Sequence, residues 1–240
     1  DLRRIVPHSA GGHLIAGWSG ENNNNTGLLI RLDANGQELW SKLVAGNGYC
    51  YFLSVAEGAN ENVAVGHCLD GLTYNSHALL YAFDNSGKEL WKKEITGGPA
   101  DQPFMQYEFR GIRAVEGGYV ISGYSYSTSL GQKGHVLKIN GSGDILWDTN
   151  VFSNGGAHGG AGVVADAGGT LLTSSWHMSF QKQTTAVLDA ATGQELSQTT
   201  PFTCGSSTGV SVDYQAIGNE KYMVVAPDTK AGNQQFCGSA

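Results

Sequence analysis

Four segments of the chain are near copies of one another: LDANGQELW at 32–40, FDNSGKELW at 83–91, INGSGDILW at 139–147 and LDAATGQELS at 188–197. In register they place Trp40, Trp91, Trp147 and Ser197 in one column, at spacings of 51, 56 and 50 residues. A period near fifty marks an array of like units, each of which needs a neighbour to bury its apolar face. A second motif recurs upstream of each hairpin, as GGHLIAGW (11–18), ENVAVGH (61–67), GGYVISGY (117–124) and GGTLLTSSW (168–176), and a fifth time as NEKYMVVAP (219–227).

Each unit reads as four short strands, A to D. In the first, A lies near 3–8, B at 12–18, C at 27–33 and D at 37–44, as β-branched or aromatic runs bounded by Gly, Asn or Asp. One four-stranded sheet per repeat is a propeller blade. Within Asp33-Ala34-Asn35-Gly36, the C–D turn, Asp is suited to accept backbone hydrogen bonds and Gly to take positive φ. The trailing Trp is an apolar plug suited to docking between blades. The expectation is all-β: a single propeller domain of about five blades with four antiparallel strands each. Its repeats fall at approximately 1–52, 53–108, 109–160, 161–208 and 209–240, and the last is incomplete or three-stranded.

The DxxGxxLW copies and LDAATGQEL resemble the repeats of quinoprotein-type, or PQQ-like, β-propellers over most of the chain. That resemblance implies the fold. The superfamily holds quinone-dependent dehydrogenases as well as assembly factors and scaffold propellers that bind no cofactor. No quinone or calcium site carries over, so the resemblance is to a cofactor-less member. Spacings of 50 to 56 exceed the shorter repeats usual in that group and put the extra residues in loops.

Composition narrows the partners. Charged residues are 15% of the chain while Gly is 35 of 240, which favours tight turns over charged surface helices. With 14 Lys+Arg against 21 Asp+Glu and a net charge of −7, no basic footprint for nucleic acid exists. No apolar run approaches the roughly 20 residues of a membrane-spanning helix, and the opening DLRRIVPHSAGG lacks a signal-peptide core. Starting at Asp1, the chain reads as a mature or excised product.

In a blade, A–B and C–D connections share one side of the disc and B–C and D–A connections the other. The C–D turns are near copies. The connections on the second side differ from unit to unit, and they include 19–27, 68–77, 126–135, 177–185, 45–52, 96–108, 152–162 and 200–209. Binding residues concentrate on loops released from scaffold duty, so function is expected on that side. Cys50 and Cys204 fall in D–A segments, and Cys68 and Cys237 follow B strands, with the same topology in both pairs. Disulfides Cys50–Cys68 and Cys204–Cys237 are expected, tying adjacent blades and implying an oxidising compartment: secreted or extracellular, periplasm or cell surface if bacterial. Free buried thiols and a metal site are the alternatives, though no CxxC or CxxH spacing supports a metal.

At the end of strand B the units carry Trp18, His67, Tyr124 and Trp176 followed by His177, with Pro227 in the fifth position. Such aromatics either fill blade interfaces or form a ligand platform, with Asn47, Tyr49, Asp70 and Asn154 as polar neighbours. No HExxH, GxSxG or nucleotide-binding glycine loop is present. The catalytic candidates are His158, set among glycines with Asp166 near in sequence, and His67; Asp70, Asp101 and Glu108 are further loop carboxylates. The acidic turns lack the alternating carboxylates of a calcium loop, so no metal is expected. The leading function is a secreted recognition or adhesion module for a carbohydrate or a protein surface. A hydrolase or lyase with a His general base, and a structural module of a filament or larger surface protein, are the alternatives.

Overall fold

The computed structural model describes residues 1–20, 25–71, 75–95, 106–127, 131–151, 158–165, 169–177, 182–203, 213–218, 221–225, 227–228 and 235–236; for 158–165, 174–177, 182–184 and positions from 199 onward it describes the backbone alone. Among these residues every regular element is a strand. The first sheet comprises β1 (Leu2–Pro7), β2 (His13–Ser19), β3 (Thr26–Leu32) and β4 (Glu38–Val44). The second comprises β5 (Tyr49–Glu57), β6 (Asn62–Leu69), β7 (Ser76–Phe83) and β8 (Glu89–Ile95). The third holds β9 (Gln106–Val115), β10 (Gly118–Ser127), β11 (Gly131–Ile139) and β12 (Ile145–Val151). The fourth holds β13 (His158–Ala165), β14 (Thr170–His177), β15 (Lys182–Asp189) and β16 (Glu195–Thr203). All four are antiparallel meanders. The fifth unit contributes the pairs β17 (Asp213–Gly218) with β18 (Lys221–Val225), and β19 (Pro227–Asp228) with β20 (Gln235–Phe236). The fold is a β-propeller.

Successive A strands, β1, β5, β9, β13 and β17, adjoin one another, which makes A the inner strand and D the outer. Among the described residues, three apolar layers lie between consecutive sheets. Leu14, Ala16, Leu29 and Val44 meet Phe52, Val55, Leu79, Tyr81 and Phe83; Val63, Val65 and Leu80 meet Phe109, Ile121, Leu137 and Ile139; Val120, Val136 and Val151 meet Leu171, Ala186 and Leu188. Alternate residues along each strand serve opposite neighbours, as the period of two requires.

The repeated C–D turn is built the same way in all four copies. In its C–D turn the first side chain accepts two backbone N–H groups: Asp33 from Asn35 and Gln37, Asp84 from Ser86 and Lys88, Asn140 from Ser142 and Asp144, Asp189 from Ala191 and Thr192. The turn glycines Gly36, Gly87, Gly143 and Gly193 have φ of 80, 80, 75 and 73°. The Trp reaches the turn of the next blade. Trp40 Nε1 donates to the Asn85 carbonyl at 3.0 Å, Trp91 to that of Gly141 at 2.8 Å and Trp147 to that of Ala190 at 3.2 Å. A Cβ on Gly87, Gly143 or Gly193 would stand 3.1, 2.9 or 2.5 Å from the arriving indole, so glycine serves both φ and clearance.

Strands extend further into the variable side than the sequence suggests. β10 and β11 stay paired to Ser127↔Gly131, and β5 begins at Tyr49, pairing Cys50 with Cys68. The bond between those cysteines forms. It joins strands A and B of one blade and does not tie adjacent blades, because Tyr49, Cys50 and Tyr51 belong to β5 instead of the preceding linker. Cys204 and Cys237 lie outside the described residues.

Candidate functional site

The B-strand position singled out from sequence is repeated in space. Trp18, His67 and Tyr124 each meet residues of an A strand, of their own or the next sheet, at the rim carrying the B–C and D–A connections. From one side inward, the Arg3 guanidinium sits 4.4 Å over the Trp18 ring and Trp18 meets Tyr51 edge-on at 5.2 Å. Tyr51 stacks on His67 at 5.0 Å, and its hydroxyl accepts from Asn25 Nδ2 at 2.8 Å. His67 Nδ1 lies 3.8 Å from Glu108 Oε2, Glu108 pairs with Arg110 at 3.3 Å, and Arg110 covers the Tyr124 ring at 4.9 Å. One continuous strip thus crosses three blades.

Exposure along it is uneven. His67 and Tyr124 are buried while Trp18 is half-buried and Arg110 keeps nearly half of its side chain in solvent. Burial pushes the His67 imidazole below its ordinary value; Glu108 opposes that, while Arg110 and His77 reinforce it. His67 Nδ1 makes no hydrogen bond among the described residues. Burial and then Glu108 raise the Tyr124 phenol. The strip is therefore a neutral imidazole and a phenol held beneath a carboxylate–guanidinium pair.

The other candidates divide. Asn47 Nδ2 donates to Glu94 at 2.9 Å, the Tyr49 ring lies beside Gly71, and Asp70 follows the end of β6 with its N–H donating to the Asn75 carbonyl at 2.8 Å. His158 opens strand β13 and is the register partner of His177, with Gly159 opposite Trp176, so the backbone brings those candidates to one rim position. Their side chains, and Asn154, Asp101 and Asp166 entirely, lie outside the described residues.

Sequence reasoning missed a second cluster. Tyr107 O–H bonds His135 Nδ1 at 2.8 Å, and His135 Nε2 lies 3.1 Å from Asp148 Oδ1. His135 is 1% exposed, and burial lowers it to about 4. Burial also raises Asp148 to about 6 and, with the nearby Asp148 charge, raises the Tyr107 phenol. At neutral pH the imidazole is neutral, bonded to the phenol through Nδ1 and with Nε2 facing the carboxylate. The available signal was His135 itself, which occupies the repeat position filled by Leu28 and Leu79 in the first two units.

The family profile described as outer membrane protein assembly factor BamB matches residues 75–236, two thirds of the chain. The chain belongs to this family. BamB from Moraxella catarrhalis superposes on it with a TM-score of 0.54 at 13% identity, covering 98% of this chain and 63% of that one. The Dos1 propeller gives 0.57 at 15%, covering 97% and 57%, and a Synechocystis ACO variant 0.53 at 13%, covering 95% and 56%. This BamB-type propeller therefore spans less than two thirds of those structures' length. At such identities the likeness to solved structures concerns the fold. No curated protein sequence matches the chain.

Proposed function

We propose that this BamB-type propeller is an exported recognition module that engages a protein surface through the rim of its B–C and D–A connections. The observation carrying this reading is the strip Arg3–Trp18–Tyr51–His67–Glu108–Arg110–Tyr124, in which the exposed Arg3 and Arg110 and the half-buried Trp18 are the Arg and Trp types that dominate protein-binding hot spots. Its buried members fix the exposed ones in place, so little side-chain entropy is lost on binding. The family's description as an assembly factor for outer membrane proteins points the same way, and the Cys50–Cys68 bond fits an oxidising compartment.

Protein is preferred over carbohydrate because the stacking faces are occupied. Arg3 covers Trp18, Tyr51 stacks on His67, and Tyr124 is capped by Arg110. The experiment is pull-down from the native source beside a glycan array, with wild type and the Trp18→Ala/Arg110→Ala variant. The reading expects capture by wild type, loss in the variant and a silent array; a silent pull-down with sugar hits replaces protein by carbohydrate as the ligand. The hydrolase or lyase alternative rests on His67, a neutral imidazole beside Glu108. Turnover abolished by His67→Ala in a folded protein would favour it.

A further inference from the structure

Each strand of the second sheet contributes one metal-type donor to a single patch. Cys50 on β5 is the register partner of Cys68 on β6, and Cys68 is the partner of His77 on β7. Glu94 on β8 pairs with Leu79, two residues along β7 from His77, so its side chain shares their face. The Cys68 sulfur, a His77 ring nitrogen and a Glu94 oxygen all lie within 4.8 Å of one another, and Cys50 adds the second sulfur through the disulfide. His77 Nε2 is buried and 3.2 Å from Glu94 Oε2, yet its geometry gives it no hydrogen bond. An orphaned buried nitrogen beside a carboxylate and the Cys68 sulfur needs an explanation. The roof is Gly46, whose Cβ, if present, would stand 2.7 Å from both sulfurs and 3.0 Å from Glu94 Oε1.

We propose that reducing the Cys50–Cys68 disulfide converts this patch into a zinc site with Cys50, Cys68, His77 and Glu94 as its four donors. Two thiolates, an imidazole and a carboxylate are a zinc-type set, and four ligands close the tetrahedron of a structural site. The step balances. A dithiol reductant gives two electrons and two protons to the S–S bond, leaving two thiols, and closes to its own disulfide; Zn²⁺ then displaces the two thiol protons. The groups facing the site are Asn47, which donates to Glu94 Oε2 at 2.9 Å, and Lys92, whose ammonium lies 3.3 Å from Glu94 Oε1. Lys92 also donates to the Ala45 carbonyl at 3.1 Å, so it keeps a partner when the carboxylate turns to metal. The patch would thus hold one covalent clasp in an oxidising compartment and another in a reducing one.

The test loads the full chain with Co²⁺ and Zn²⁺ after dithiothreitol treatment and anaerobic desalting, with oxidised protein alongside. Expected is one metal per reduced chain, a thiolate-to-cobalt charge-transfer band, and none in the oxidised protein. His77→Gln and Glu94→Gln, each checked for folding in the oxidised state, should weaken binding about tenfold or more. Cys50→Ser/Cys68→Ser should abolish the band. The proposal is overturned if reduced wild type binds no metal, if oxidised protein binds as well, or if both Gln variants bind like wild type. A band that survives Cys50→Ser/Cys68→Ser also overturns it, since the metal would then sit on Cys204 and Cys237.

Discussion

At the C–D rim three tryptophans enter three glycine turns with the same donor and acceptor each time, whereas at the opposite rim the equivalent B-strand position holds Trp18, His67 and Tyr124, each with different partners. Identical contacts mean identical work, here the joining of consecutive blades. Different contacts at one geometric position mean that the scaffold does not dictate them. The difference teaches where substitution should cost stability and where it should cost recognition.

The largest break expected is Trp91→Ala. It removes an indole packed on Gly143 and its hydrogen bond to Gly141, and should cost roughly 3 kcal/mol by chemical denaturation, leaving the opposite rim's ligand preference intact. Breaking the Cys50–Cys68 bond, which closes a loop with a sequence separation of 18, should cost about 3 kcal/mol when thiol-blocked and native proteins are compared.

The buried triad sharpens the comparison through pH. His135, lowered to about 4, contributes stability that is fully present above its ordinary value near 6.5 and lost as pH falls through 4. Asp148, raised to about 6, works the other way: its contribution is present below about 4 and lost as pH rises through 6. With over a third of its side chain exposed, Asp148 counts for less after solvent screening. Wild type should therefore gain stability between pH 4 and 6.5, though less than His135 alone would give. Asp148→Asn leaves the His135 effect unopposed and should add on the order of 1–2 kcal/mol to that gain in urea melts across the range. An unchanged slope would show that Asp148 is not raised by burial.

A smaller contrast lies within the turns themselves. Gly143→Ala meets Trp91 at 2.9 Å and a φ of 75°, while Gly36→Ala meets only its φ of 80°, with nothing within 4 Å among the described residues. Melts should place the first about 1 kcal/mol or more below the second.

The sequence disclosed the first rim almost completely, because a turn that repeats with its Trp announces a repeated contact. It disclosed the Cys50–Cys68 bond but misassigned its blade, since the aromatic run Tyr49–Phe52 looks like linker until paired with β6. Tyr107, His135 and Asp148 stayed hidden because they come from three strands with no fixed spacing. Glu108 was visible as a carboxylate, but its meeting with His67 depends on how one blade seats against the next.

Paired melting and partner capture by Trp91→Ala and Trp18→Ala/Arg110→Ala test the division of labour most directly. The prediction is a lowered melting temperature with retained capture for the first, and an unchanged melting temperature, within about 2 °C, with lost capture for the second. Retained capture in Trp18→Ala/Arg110→Ala, beside lost capture in a folded Trp91→Ala, would contradict it and move recognition to the rim of the repeated turns.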